Sequence, residues 1–256
     1  MNQNLNISLI QTDLVWENPQ ANFRNFEEKI YTRTENPDLI ILPEMFNSGF
    51  SMNFSEKSPS KSLEWMTNVS KQKQSAIYGS VAISEGEYCF NRGCFVKPNG
   101  EQTFYDKKHL FKYGKEHETY TPGSESVTVS YKNWKIKPLI CYDLRFPVWS
   151  RNTVPYYDLL IYVASWPMAR IEAWKTLLKA RAIENQCYVV GVNRLGQDGN
   201  GLSYNGQSLV IDYAGEILCD SKEDDAIFST TLSLENLQTF RSKFPFLADA
   251  DPFILK

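Results

Sequence analysis

The sequence has no long hydrophobic run. No apolar segment approaches the ~18–20 residues that a membrane helix requires, and the first 14 residues lack the basic start and apolar core of a secretory signal. We therefore expect a cytoplasmic protein with no membrane segment. A basic surplus is also missing, because 27 Lys and Arg residues face 30 Asp and Glu residues, for a net charge of −3. This balance argues against nucleic-acid binding by bulk electrostatics.

Histidine is scarce, and cysteine is not arranged in pairs. Only His109 and His117 are present, with no CxxC motif, so we expect no metal site. The five cysteines are scattered along the chain, which favours free thiols in a reducing compartment over a disulfide framework. Hydrophobic residues make up 42% and charged residues 22% of the 256 positions, a composition typical of a globular protein.

Short apolar segments alternate with amphipathic ones along the chain. Strands are predicted at 6–12, 38–42, 76–84, 87–97, 100–107, 126–130, 134–141, 158–164, 187–193, 207–212, 216–220 and 226–232. Helices are predicted at 21–34, 60–74, 171–186 and 234–243. Because no linker or repeat separates them, we expect one domain over residues 1–256, an α/β fold of mixed sheets covered by helices. The glycine-rich segment 196–201 matches no phosphate-binding loop and is interpreted as a flexible loop.

Two polar residues stand where a predicted strand ends, which is where ligand crevices lie in open α/β sheets. Glu44 follows one apolar segment and Cys141 ends another. Each has a simpler interpretation, because a glutamate there is often an exposed loop residue and a free cysteine is often a small buried residue. Cys187 and Cys219, which lie inside strand patterns, fit the buried interpretation.

Two further charged residues become candidates only in combination with these. Lys107 lies in the segment YDKKHLF, and Glu116 lies in KEHETYTPG. In isolation, each is compatible with a solvated surface charge. A cysteine–histidine pair would need His109 or His117 as its base, and sequence spacing excludes neither.

The segments occur in the order found in the nitrilase superfamily of carbon–nitrogen hydrolases, and the chain resembles that family over nearly its whole length. The motifs are LPE at 42–44, YDKKHLF at 105–111 and CYDLRFP at 141–147, with ASWP at 164–167 and RAIENQ at 181–186. The resemblance implies a four-layer αββα sandwich that pairs into a homodimer or a larger homo-oligomer. The helix from Ile171 and the segment 145–152 are the candidate dimer face.

The resemblance also implies a catalytic triad of Glu44, Lys107 and Cys141, with Glu116 as a second active-site glutamate. Lys107 is assigned over Lys108 because the family pattern is lysine, any residue, histidine, leucine. Amide hydrolysis is consistent with these residue types. A thiolate is a strong nucleophile, a carboxylate can shuttle the proton, and an ammonium lowers the thiol pKa and stabilises an oxyanion.

The expected second oxyanion donor is the backbone N–H of Tyr142. No metal or organic cofactor is required by this chemistry.

Within the superfamily, the chain is similar to the omega-amidase branch in the segments 141–151, 165–167 and 198–201. That branch hydrolyses the terminal amide of 2-oxoglutaramate or 2-oxosuccinamate. A substrate carboxylate favours an arginine partner, and Arg145 and Arg170 follow strand ends on the expected side. Arg145 is alternatively a structural residue paired with Asp143 or another acidic residue, and Arg170 is alternatively the start of the next helix.

Trp166 and Phe50 are expected as apolar pocket walls, although aromatic residues near strand ends are more often core. Two other classes of function stay open at the sequence level. One is another small-amide hydrolase of the superfamily, acting on deaminated glutathione, a carbamoyl amine or a nitrile. The other is a non-catalytic α/β binding protein, against which the three intact triad positions argue.

Overall fold

The computed structural model describes residues 4–254. Its strands are β1 Asn4–Gln11, β2 Leu39–Ile41, β3 Glu56–Lys57, β4 Ala76–Glu85, β5 Tyr88–Val96, β6 Gln102–Asp106, β7 Val129–Tyr131, β8 Trp134–Ile140, β9 Leu159–Ala164, β10 Tyr188–Asn193, β11 Leu195–Gln197, β12 Ser203–Asn205, β13 Leu209–Ile211, β14 Ile217–Asp220 and β15 Ala226–Ser233. Its α-helices are α1 Pro19–Tyr31, α2 Lys61–Lys73, α3 Pro147–Ser150, α4 Ile171–Asn185 and α5 Leu234–Lys243. No helix within these residues is both long enough and apolar enough to cross a bilayer.

Two sheets carry most of the strands. The first has the order β15-β1-β2-β4-β5-β6, with β3 beside β4, and the second has the order β14-β13-β10-β9-β8-β7. β1, β2 and β4 are parallel in the first sheet, and β8, β9 and β10 are parallel in the second. Parallel strands of one sheet end at the same edge, so the loops that follow β8 and β9 lie together. The loop that follows β2 meets them from the first sheet, where Glu44 accepts the N–H of Ser165.

Alternation of side chains along the strands builds the layers. On β1, Ile7 packs between the sheets, whereas Ile10 packs toward the outer helices. Helices α1 and α2 cover the first sheet through residues such as Phe26 and Trp65. Helix α4 covers the second sheet through Trp174. The four-layer αββα sandwich is therefore confirmed.

Most predicted elements are present within a few residues of their predicted bounds. The strand predicted at 126–130 begins later, as β7, and is antiparallel to β8 in the second sheet. The prediction of a flexible loop at 196–201 was wrong. The segment 196–201 is part of a hairpin in which β11 pairs with β12. Asp198 folds this turn, because its carboxylate accepts the N–H groups of Asn200 and Leu202 and the hydroxyl of Tyr204.

The cysteines differ in their burial. Cys94 and Cys187 are fully buried, and Cys141 is nearly so. Cys219 is only partly buried, contrary to the sequence-based expectation, because β14 is the edge strand of the second sheet. Cys89 is also partly buried, and all five thiols are free.

Candidate active site

Four predicted residues meet beneath a pocket of about 390 Å³ at the carboxyl ends of the parallel strands. Glu44, Lys107 and Glu116 have no exposed surface, and Cys141 is 9% exposed and lines the pocket. The remaining walls include Phe50, as expected. The structure thus brings together residues that lie up to 97 positions apart in the chain, from Glu44 to Cys141.

Glu44 lies in the turn that follows β2. Ser80 of β4 fixes this turn, because its hydroxyl accepts the N–H of Met45 at 3.0 Å and its carbonyl accepts the N–H of Phe46 at 3.2 Å. The Glu44 carboxylate then reaches the second sheet, where Oε2 accepts the N–H of Ser165 at 2.8 Å. Glu44 is therefore a buried carboxylate, and the simpler interpretation of an exposed loop residue is wrong.

Lys107 lies directly after β6 and extends the β5–β6 pairing, with its N–H donating to the carbonyl of Asn91 at 3.0 Å. Its Nζ donates to Glu44 Oε1 at 2.7 Å and contacts both oxygens of Glu116 at 3.0 and 2.9 Å. Lys108 lies outside the cluster, over the ring of Trp149. The sequence-based choice of Lys107 over Lys108 agrees with this geometry.

Glu116 begins a 3-10 turn, Glu116–Glu118. Its Oε2 accepts the N–H of Phe111 at 2.5 Å, which closes the loop 111–116 around the lysine. Although Glu116 is the most weakly supported of the four in the sequence, its carboxylate is as buried as that of Glu44.

Cys141 stands at a sharp change in chain direction. The strand was predicted to end on this residue, but β8 ends at Ile140 and Cys141 begins the 3-10 turn Cys141–Arg145 with φ +43°. A positive φ cannot continue a strand, and it costs a non-glycine residue about 1–2 kcal/mol. The turn is held by Asp143, whose carboxylate accepts the N–H of Ile140 at 3.1 Å.

The electrostatics of the cluster favour a neutral thiol and an ammonium before substrate binds. Burial, with the nearby charge of Glu44, raises the pKa of Cys141 well above its usual value, while Lys107 acts in the lowering direction. Burial lowers the pKa of Lys107, but the charges of Glu116 and Glu44 outweigh it and hold that pKa above its usual value. The charge of Glu44 acts directly on the thiol, so a base that can remove its proton lies nearby.

The predicted substrate-binding residues all line the pocket. Tyr142, Arg145, Trp166 and Arg170 are pocket residues, with Lys115 as a further cation. The Arg145 guanidinium lies over the Trp166 ring at 5.0 Å, and no carboxylate among the described residues forms an ion pair with it. The alternative pairing of Arg145 with Asp143 is not formed.

Arg170 directly precedes α4, as the simpler interpretation expected. Its guanidinium nevertheless lies over the Phe111 ring at 5.2 Å, and its carbonyl accepts the Trp166 Nε1–H at 2.8 Å. It therefore combines a structural position with a place in the pocket wall.

Sequence reasoning missed two buried polar residues beside the cluster. Asn91 on β5 donates from Nδ2 to Glu44 Oε1 at 2.9 Å and to Glu116 Oε1 at 3.0 Å. Asn193 at the end of β10 clamps the backbone of Trp166, accepting its N–H at 2.7 Å and donating to its carbonyl at 3.0 Å. A signal for Asn91 was available, because strand alternation places it on the same inward face as Phe95.

Asp143 has a larger role than its place in the cysteine motif indicated. Its oxygens accept the Tyr105 hydroxyl at 2.8 Å and the His109 N–H at 3.0 Å, and they contact His109 Nδ1 at 2.8 Å. His109 therefore faces Asp143, and its ring stacks on Phe146 with centroids 3.7 Å apart. These contacts tie the lysine segment to the cysteine turn and leave no evidence for a cysteine–histidine pair.

Among residues 4–254, no group of His, Cys, Asp and Glu side chains is arranged to hold a metal ion.

Comparisons with known proteins agree on one family. A model of the carbon–nitrogen hydrolase family matches residues 6–242. The chain is 46% identical to omega-amidase YafV of Escherichia coli K12 over 254 residues, covering 98% of both chains. It is 30% identical to 2-oxoglutaramate amidase of Bacillus subtilis, covering 95% of this chain and 96% of that one. The solved structure of XC1258 from Xanthomonas campestris, a CN-hydrolase superfamily protein with an arsenic adduct in its active site, superposes with a TM-score of 0.96 at 41% identity, covering 99% of both chains.

Proposed function

Because the chain belongs to the carbon–nitrogen hydrolase family, we propose that it is an omega-amidase, which releases ammonia from the terminal amide of a small 2-oxo acid such as 2-oxoglutaramate. The observation that carries this proposal is a buried cluster of Glu44, Lys107 and Cys141 that shares one pocket with two arginines. The names of the Escherichia coli and Bacillus subtilis relatives support the same substrate class.

In the proposed acylation step, Cys141 Sγ forms a bond to the amide carbon while its proton passes to Glu44. The developing oxyanion is stabilised by the Lys107 ammonium and by the backbone N–H of Tyr142. Tyr142 is the second residue of a 3-10 turn, where the first N–H groups have no partner within the turn. The carbon–nitrogen bond then breaks as Glu44 passes the proton to the leaving amide nitrogen, which departs as ammonia.

Deacylation uses the same residues. Water attacks the thioester carbon while its proton passes to Glu44, and the carbon–sulfur bond breaks. Glu44 returns the proton to the thiolate, which restores the neutral thiol and leaves the free acid. Glu44 thus needs to accept and donate a proton in each half-reaction, which requires that Lys107 and its other neighbours hold the carboxylate in place.

Arg145 and Arg170 are the proposed partners of the substrate carboxylate. Each is held over an aromatic ring in the pocket wall, Trp166 for Arg145 and Phe111 for Arg170. A planar guanidinium held in this way can bind a carboxylate through two hydrogen bonds.

The substrate experiment measures ammonia release from 2-oxoglutaramate, 2-oxosuccinamate, glutamine, a carbamoyl amine and a nitrile. We expect kcat/KM for 2-oxoglutaramate to exceed that for glutamine at least ~100-fold, because the extra ammonium must be desolvated beside the cations. Replacing the correct arginine by alanine is expected to raise KM by the equivalent of about 1.5–3 kcal/mol. Arg24→Ala, on the exposed face of α1, is the control. A nitrile or carbamoyl amine that surpasses both keto-acid amides contradicts the substrate assignment.

We also propose a cytoplasmic homodimer or larger homo-oligomer, with α4 and the segment 145–152 at the interface. Val148 and Ile183 lie in these two elements and are about half exposed, at 50% and 48%. Sedimentation is expected to give at least twice the chain mass of 29.5 kDa. A mass of one chain at micromolar concentration contradicts this proposal.

A further inference from the structure

The buried cluster holds two carboxylates and only one ammonium. Glu44 and Glu116 both contact the Lys107 Nζ, and all three side chains are fully buried. Two carboxylates in one dry site cannot both stay ionised unless other donors support them. Each Glu116 oxygen and Glu44 Oε1 already accepts from the lysine, so any remaining support has to come from neutral groups.

Asn91 is a neutral side chain that, like Lys107, contacts both carboxylates. Its Nδ2 donates one N–H to Glu44 and the other to Glu116, at 2.9 and 3.0 Å, and it is fully buried. The orientation of the amide follows from chemistry, because the opposite orientation would place the amide oxygen against two carboxylate oxygens.

The amide oxygen of Asn91 indicates why an asparagine occupies this position. Within the described part of the chain, Oδ1 of Asn91 has no hydrogen-bond partner although it is buried. An unpartnered buried acceptor is unfavourable for folding. The presence of an amide at this position is therefore explained by its two N–H donors. Neither an aspartate nor an apolar residue of similar size offers two donors.

We propose that Asn91 is a positioning residue that holds the Glu44 and Glu116 carboxylates side by side through its two N–H groups, so that Glu44 is placed to accept the thiol proton of Cys141. Burial raises the pKa of Glu116, and the hydrogen bond from Asn91 acts against that shift. Asn91 does not line the pocket, so its effect reaches the substrate only through the carboxylates. This inference rests on the proposed roles of Glu44 and Cys141.

The test uses Asn91→Asp and Asn91→Leu, which preserve the size of the side chain and leave at most one donor and none, respectively. The first readout is the rate of Cys141 alkylation by iodoacetamide as a function of pH, which requires no knowledge of the substrate. We expect the acidic limb of the profile to move up by about 1–2 pH units in both variants, the scale set by losing a hydrogen bond to a charged group. The second readout is turnover, for which kcat is expected to fall at least ~10-fold at pH 7 while KM stays within about threefold.

Asn152→Leu is the matched control. Asn152 is equally buried and donates two N–H groups, but to the carbonyls of Tyr157 and Asn185. We expect this variant to lose thermal stability without a change in the alkylation profile. The inference is overturned if the acidic limb of the alkylation profile stays within about 0.3 pH units of wild type in an Asn91 variant that folds. That outcome would leave the triad assignment intact. Alkylation of wild-type protein at a cysteine other than Cys141 would overturn both the inference and the proposed nucleophile.

Discussion

At the residue scale, substitution of Cys141 is the most direct test of the catalytic proposal. We expect Cys141→Ala to abolish turnover and to remain folded, because the change removes one sulfur atom from the side of a pocket. Ammonia release and thermal unfolding measure the two outcomes. A variant that retains a tenth of the wild-type rate contradicts the assignment of the nucleophile.

Cys187→Ala is the control for this change. Cys187 is fully buried in the core, directly before β10, and is not among the residues that line the pocket. Its replacement is expected to reduce the free energy of unfolding by about 1–3 kcal/mol while the rate per folded molecule is retained.

Lys107 tests whether shape or charge matters more in the cluster. We expect Lys107→Arg to be nearly as inactive as Lys107→Ala, because the lysine Nζ lies between two carboxylates with no surrounding exposed surface, and a planar guanidinium does not fit that volume. Lys108→Ala is expected to be mild, since Lys108 contacts the Trp149 ring instead. Rate measurements on the three variants test this expectation. If Lys108→Ala is inactive and the Lys107 variants are mildly affected, the catalytic lysine is Lys108.

The four clustered residues could be named from sequence because each lies in a distinctive motif, but the contacts that their neighbours make could not. Asn91 lies in a strand whose composition gives no sign that its amide spans two carboxylates contributed by segments 47 and 25 positions away. The protonation state of Cys141 was equally inaccessible. Lysine acts on the thiol in the expected direction, yet burial determines the outcome, and burial is a property of the folded chain.

At the scale of elements, Asp143 joins the lysine segment to the cysteine turn. One carboxylate accepts the Ile140 N–H, the His109 N–H and the Tyr105 hydroxyl, which belong to two different sheets and the loop between them. We expect Asp143→Ala to lower the free energy of unfolding by about 3–5 kcal/mol, because several buried donors lose their acceptor at once. Urea unfolding measures this loss.

Asp212→Ala is a comparison for that experiment. Asp212 also accepts two backbone N–H groups, from Ala214 and Glu216, but in an exposed hairpin turn where water can replace it. Its replacement is expected to cost no more than about 1 kcal/mol. Equal losses in the two variants would mean that Asp143 is an ordinary turn residue.

Helices and strands were predictable where apolar residues recur every 3.6 or every two residues over several turns or pairs. Helix α5, for example, matched its predicted bounds. The hairpin of β11 and β12 escaped prediction because its strands have three residues each, too few to show alternation, and its glycines indicated a loop. Besides the local contacts of Asp198, part of what stabilises it is remote in sequence. Arg194 beside it donates to Asp13 and to the carbonyl of Leu14, about 180 positions earlier.

At the scale of the whole molecule, stability is expected to depend on one buried lysine outside the site. Lys137 on β8 is 7% exposed and lies over the rings of Tyr157 and Trp149, at 5.7 and 6.0 Å. Burial lowers its pKa to about 8. Between pH 8 and its usual value of 10.5, the unfolded chain therefore binds more protons than the native one, so the contribution of this residue to stability rises with pH through that window.

Lys137→Met removes the charge but keeps the length of the side chain. At pH 7 we expect the variant to be more stable than wild type by on the order of 1–3 kcal/mol, with the difference shrinking toward pH 10.5. Urea unfolding at several pH values measures it. Lys135→Met, on the exposed face of the same strand, is the control. A constant difference for Lys137→Met would show that its titration does not affect folding.

The pocket described above has a surplus of negative charge beneath it and a surplus of positive charge in its lining. Two carboxylates and one ammonium lie beneath it, and three cations, Lys115, Arg145 and Arg170, line it with one carboxylate, Asp198. The electric field of these charges therefore orients an anionic amide before it binds, with its carboxylate toward the cations and its amide toward Cys141. Salt weakens this effect. We expect kcat/KM for such a substrate to fall with ionic strength, and kcat/KM for a neutral amide to stay constant, in steady-state assays from low to high salt.

The same arrangement of charges favours release of the product. Hydrolysis converts a neutral amide, tolerated beside Glu44 and Glu116, into a second carboxylate formed against two like charges. The product is therefore repelled from the place where it is made, and a dicarboxylate is expected to inhibit the enzyme only weakly.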